Sequence, residues 1–107
     1  MADLMTQTLN KLRRSALKAA LRNINLHLFN NQASEQQVIE FVALRLGITP
    51  GIIMLWKVNG GVPSGYVQPF LNILNEHSVW VSYQLRPNKR VALIYLGECD
   101  EAGPSAS

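Results

Sequence analysis

The stretch from Gln37 to Asn59 reads QVIEFVALRLGITPGIIMLWKVN, and its spacing decides the fold. Ala43 and Gly47 stand four residues apart, Gly47 and Ile53 six, Ile53 and Trp56 three. Ile39, Val42, Leu46 and Ile48 surround them with apolar side chains. Two helices that cross steeply must nearly touch, so the crossing point needs a small side chain, and Ala43 supplies it. A tight turn between them calls for positive φ, which glycine adopts at little cost, and Gly47 stands at the turn. Ile53 and Trp56, one helical turn apart, then pack back onto the first helix. The spacing predicts two short helices joined by a sharp bend.

Boundary signals agree. Ser34, followed three residues later by Gln37, reads as a capping box that starts a helix from about Glu35 to Leu46. Thr49 is a good N-cap and Pro50 suits the first helical position. That second helix runs to about Val58 and stops at Gly60-Gly61. Upstream, Leu9, Leu12, Ala16, Ala20 and Ile24 recur at helical steps, predicting a long helix from Thr8 to about Phe29 after a frayed Met1–Gln7. The asparagines between Asn23 and Asn31 mark its end. Downstream, Pro63-Ser64-Gly65 opens a helix over about Tyr66 to Glu76, with Phe70, Leu71 and Leu74 inward. Pro69 fits only a first turn, which argues for a later start.

The period then changes. Val79, Val81, Tyr83 and Leu85 alternate with Trp80, Ser82 and Gln84 as in a strand. Arg86-Pro87-Asn88-Lys89 is turn-like, and Val91–Leu96 is apolar on both faces. An isolated hairpin is marginal in water, so this ribbon is expected to pack on the helices and pair with a second subunit. The expected fold class is mainly α with a small β-ribbon: a helix-turn-helix bundle of about four helices plus a C-terminal antiparallel hairpin. Residues 1–97 form a single domain with a dimerisation ribbon, and residues 98–107 form a disordered tail.

The chain has 107 residues, 48% apolar and 16% charged, which is a globular balance. Its longest apolar runs fall far short of the ~20 residues that span a bilayer. The N-terminal segment is basic and lacks the central apolar block of a signal peptide. Cys99 is the one cysteine, so there is no internal disulfide, which fits a reducing cytoplasm. With His27 and His77 far apart, no metal-ligand spacing exists. No nucleophile arrangement or Gly-rich phosphate loop follows a strand, so neither an enzyme nor a cofactor is expected. Net charge is +3 with pI near 9.4. Its distribution says more: Lys11, Arg13, Arg14, Lys18 and Arg22 crowd the N-terminal helix, and Arg86, Lys89 and Arg90 form a second cluster. Such a stripe reads either as a solvated helix face beside the core or as a phosphate-binding surface.

At Ala43, Gly47, Ile48, Ile53 and Trp56, continued by Gly60-Gly61, Val62-Pro63 and Phe70–Leu74, the chain resembles the helix-turn-helix family of phage Cro and lambda-type repressors. The resemblance covers roughly Ser34 to Leu74. It implies a cytoplasmic, nucleoid-associated regulator, bacterial or phage-encoded, that binds double-stranded DNA as a homodimer without a cofactor. The second helix would enter the major groove. On that reading Thr49, Pro50, Gly51, Met54 and Lys57 lie nearest the DNA, while Arg13, Arg14 and Lys18 reach phosphates. Ala43, Gly47, Ile53 and Trp56 are the scaffold.

The chain departs from that family in one respect. Residues that read base edges are mostly polar. Here the outward positions are Thr49, Pro50, Gly51, Ile52, Met54, Leu55 and Val58, with only Lys57 and Asn59 polar toward the end. Either affinity comes from phosphate contacts and DNA shape, or the apolar second helix docks a protein partner as an adaptor or inhibitor.

Overall fold

The computed structural model describes residues 4–77 and 85–94. They contain α1 (Leu4–Phe29), α2 (Glu35–Leu46), α3 (Pro50–Val58), α4 (Ser64–Glu76) and a short helical stretch, α5, over residues 89–94.

α2 begins as its sequence dictates. The Ser34 hydroxyl accepts from the Gln37 backbone N–H at 3.1 Å, and the Gln37 side chain accepts from the Ser34 N–H at 2.8 Å. It ends at Gly47, which is left-handed at φ 73°, ψ 30°. The Ile48 N–H then closes back on the Ala43 carbonyl at 3.0 Å. The chain turns through 114° between α2 and α3. Ala43 (1% exposed) and Ile53 (fully buried) are both in the core, so the two helices pack at the bend as the spacing predicts. Trp56 is also buried, with its ring 5.2 Å from that of Tyr66 on α4.

α1 underlies this pair, about 39 Å long at 1.5 Å per residue. Leu17, Leu21 and Ile24 present one stripe to Val38, Ile39 and Val42 of α2 and to Ile53 of α3. Phe70, Ile73 and Leu74 of α4 complete the core. Each such side chain contributes about 1.5–3 kcal/mol relative to exposure. The asparagines do end α1: Asn30 and Asn31 take positive φ of 52° and 61°, which Asn tolerates better than most residues. The Asn25 amide bridges across the corner, donating to the Ala33 carbonyl at 2.7 Å and accepting from its N–H at 3.1 Å.

Three expectations are corrected. α1 starts at Leu4, so residues 4–7 are helical rather than frayed. α4 starts at Ser64, not Tyr66, and Pro69 lies inside it. Pro69 is exposed, so the Gly65 carbonyl, whose usual donor a proline lacks, can face water. The third correction concerns the fold class. The C-terminal antiparallel hairpin is not seen: no strand occurs among the described residues. The second arm, expected at Val91–Leu96, is helical over 91–94. Asn88 caps it, its side chain accepting from the Val91 N–H at 3.2 Å and its carbonyl from the Ala92 N–H at 3.1 Å. A short run that is apolar on every side has no period to separate strand from helix, and the cap decides. Val79 to Gln84, residues 95–97 and the expected tail lie outside the described residues.

The α3–α4 loop is held against α1 by a glycine. Gly61 has φ 74°, and a Cβ built on it would stand 2.6 Å from the Arg13 carbonyl carbon and oxygen. Gly47 is also left-handed, but a Cβ there meets nothing within 4 Å. Gly61→Ala is therefore expected to cost about 2–4 kcal/mol, strain plus forced separation from α1, against about 1 kcal/mol for Gly47→Ala. Urea denaturation of both variants checks this; equal losses would mean the loop does not press on α1.

Candidate nucleic-acid interface

α3 starts at Thr49, whose extended backbone (φ −85°, ψ 151°) leads into Pro50 at the first helical position. The Thr49 side chain makes no capping hydrogen bond. Thr49 and Gly51 are exposed, and Pro50 is half-buried. A face running through Ile52, Met54, Leu55 and Val58 points outward, rising from 37% exposed at Ile52 to 69% at Val58. Leu44 on α2 is exposed as well. The outer side of α3 is thus apolar.

Its one cation turns away from that face. Lys57 pairs through Nζ with the Glu35 carboxylate at the first turn of α2. The Lys57 side chain is 20% exposed and that of Glu35 52%. These residues are 22 apart, so no periodicity links them, and the sequence pattern marks Glu35 as a helix start without pairing it with Lys57.

The α1 cations divide into two groups. Arg13 donates from Nε to the Pro87 carbonyl at 2.8 Å. Burial, and then the nearby Arg86 guanidinium, lower the Arg13 pKa from its ordinary value. Arg14 donates from Nη1 to the Asn59 carbonyl at 2.7 Å, satisfying the C-terminal end of α3. Arg86, expected at a hairpin tip, donates instead to the Val62 carbonyl at 3.0 Å. Arg13 and Arg14 tie the segment after α4 and the end of α3 to α1, and Arg86 ties that segment to the α3–α4 loop. Lys18 and Arg22, by contrast, are exposed and make no ion pair or hydrogen bond with a described residue. Lys89 and Arg90 are exposed on α5.

The basic row on α1 follows one edge of the helix pair. Arg14 reaches the end of α3 at Asn59. Arg22, two turns further on, lines a small cleft with Glu35 and Val38 at the start of α2. Lys18 lies between them, and Lys57 spans the same gap from α3. The expected site residues Thr49, Gly51 and Met54 are exposed at the start and on the outer side of α3, and Lys18 is exposed on α1 between Arg14 and Arg22. Arg13 lies apart, at the contact with Pro87.

Among the described residues no group of His, Cys, Asp or Glu is placed to hold a metal ion. An open groove of about 260 Å³ at the α1–α2 corner is lined by Phe29, Gln32, Ala33 and Gln37, none of them titratable. No single helix among the described residues is long and apolar enough to cross a membrane. Comparison of the chain with protein-family models, curated proteins and solved structures found no match.

The two groups of cations should separate by stability. Arg13→Ala removes a charged donor from a part-buried carbonyl and is expected to cost about 1–3 kcal/mol. Lys18→Ala should fall within about 0.5 kcal/mol of the parent. Thermal melts at one pH measure both, and equal effects would refute the division.

Proposed function

We propose that this protein is a DNA-binding regulator that presents α3 to the major groove. The observation that carries the reading is the helix pair itself: a 114° bend through a left-handed glycine, with α3 exposed along its outer side. In this docking mode the second helix enters the groove while the first crosses the phosphate backbone. The edge formed by Lys18, Arg22 and Lys57 then follows that backbone. The open α3 start at Thr49 and Gly51 offers backbone N–H groups to a phosphate. Ile52 and Met54 can touch thymine methyl groups but cannot distinguish the bases by hydrogen bonds. Sequence preference then rests on DNA shape and deformability, and affinity on phosphate. The family suggested by Ala43, Gly47, Ile53 and Trp56, that of Cro and the lambda-type repressors, binds as a dimer. A two-fold dimer of this chain would span half-sites about one helical turn apart.

A second reading is favoured by one specific observation. Ile52, Met54, Leu55 and Val58 form an exposed apolar strip on α3 where a reader of bases would carry amides and cations. An adaptor would bury that strip against a protein. The two readings differ in what Leu55→Asp does: it abolishes partner capture in the second, and costs DNA binding no more than one misplaced charge in the first.

Under the DNA reading, the full chain binds mixed-sequence duplex DNA with an affinity that falls steeply with salt. Lys18→Gln and Arg22→Gln each weaken binding, and each lost phosphate contact makes the slope of log K against log salt shallower by about 0.9. Fluorescence anisotropy at 50 and 200 mM salt measures both quantities. No binding at the lower salt, or slopes identical in both variants and the parent, would overturn the reading.

A further inference from the structure

Lys57 is the only cation that α3 carries, and the structure gives it to Glu35. Glu35 opens α2, at the end of the helix pair where the first helix of such a unit meets the DNA backbone. Around it lie Arg22, in the same cleft, and Lys18 one turn earlier on α1. Of the three acidic residues described, Glu40 and Glu76 are placed elsewhere: Glu40 accepts from Gln36 on the outer side of α2, and Glu76 pairs with Arg45. Among the described residues Glu35 is thus the one negative charge beside these cations, and it is bound to the only cation of α3.

We infer that Glu35 competes with DNA phosphate for Lys57, so that this carboxylate sets how tightly the module holds duplex DNA. The inference rests on the DNA-binding reading. Docking brings a phosphate toward the start of α2, and Lys57 must leave the carboxylate to meet it. Glu35 is then left facing a phosphate, with Arg22 in the same cleft. With the carboxylate half exposed to water, the pair is weak enough to be exchanged in that way. Within the Glu35–Lys57 segment Glu35 pairs with Lys57, whereas Arg45 pairs with Glu76 outside it.

A double-mutant cycle on the full chain tests this with mixed-sequence duplex DNA, using Glu35→Gln, Lys57→Gln and the double variant. Glu35→Gln keeps the shape and hydrogen-bonding capacity of the side chain and removes its charge. It should tighten binding about two- to fivefold at 50 mM salt, the worth of an exposed ion pair. In the Lys57→Gln background the same substitution should change affinity less than half as much, because the contested cation is gone. Thermal melts of all four proteins verify that α2 is intact, since loss of an acid from its first turn has a small cost of its own. Equal tightening in both backgrounds would show that Glu35 only repels phosphate at a distance and would overturn the competition. No tightening in either would overturn it too. If none of the four proteins binds DNA, the functional reading fails with it.

Discussion

The structure depends on a close approach of two helices around one left-handed residue. Gly47 turns the chain through a region of φ that costs other residues roughly 1–2 kcal/mol, and Ala43 lets the following segment come in against α2. Without that approach Ile53 could not reach the core between α1 and α2. Trp56 would lose its seat beside Tyr66, and the α3–α4 loop would not close on α1. A second close contact, Gly61 against the Arg13 backbone, repeats the device on the other side of α3. α3 is short, nine residues, and a helix of that length is marginal alone. It is held by a glycine before it and a glycine after it, both left-handed.

Much of this was legible in the residues because it is local. The capping box at Ser34 and Gln37, the N1 proline at Pro50 and the αL glycine at Gly47 each act within one helical turn, and all three predicted boundaries agree with the structure. What failed was either local but ambiguous or not local at all. The run at 91–94 is apolar without a period, so strand and helix differ there only by the Asn88 cap. Pro69 looked like a boundary because a proline removes a hydrogen bond, but an exposed carbonyl one turn back loses little by turning to water. The candidate site was legible in outline only. Its outward residues could be listed from the helical period of α3. The partners of its cations could not, because Lys57–Glu35, Arg14–Asn59 and Arg13–Pro87 join positions 22, 45 and 74 residues apart.

Those long-range partners change what the chain's basicity means. A net charge of +3 and a pI near 9.4 suggest a surface ready for polyanions. Yet Arg13, Arg14 and Arg86 each donate to a backbone carbonyl, and Arg45 and Lys57 each pair with a carboxylate. A guanidinium already satisfied by a carbonyl still carries its charge, and it raises the potential felt by a phosphate some ångströms away. It cannot also make the direct contact without releasing the loop it holds. Electrostatic attraction and contact formation are therefore separate roles here. Arg13 and Arg14 on α1 hold the fold and add to the field, while Lys18 and Arg22 on the same helix stay exposed.

The apolar outer face of α3 follows a similar logic. Exposed side chains on a short helix have little effect on its packing, so Ile52, Met54, Leu55 and Val58 are not needed for the bend, the cap or the core. Leu55 and Val58, 57% and 69% exposed, are the two positions where packing constrains the residue least. Under either proposed function that apolar strip would face something other than water: the methyl-bearing floor of a groove or the surface of another protein. The first occupant reads shape and methyl groups and tolerates many sequences; the second reads a complementary apolar surface and ignores DNA. Because the inner face of α3 is identical in both cases, the helix pair can serve either occupant, and the choice lies with the charged edge beside it. Lys18, Arg22 and a Lys57 released from Glu35 would serve a phosphate backbone and would be of little use to an apolar protein surface, which is why we propose DNA as the occupant.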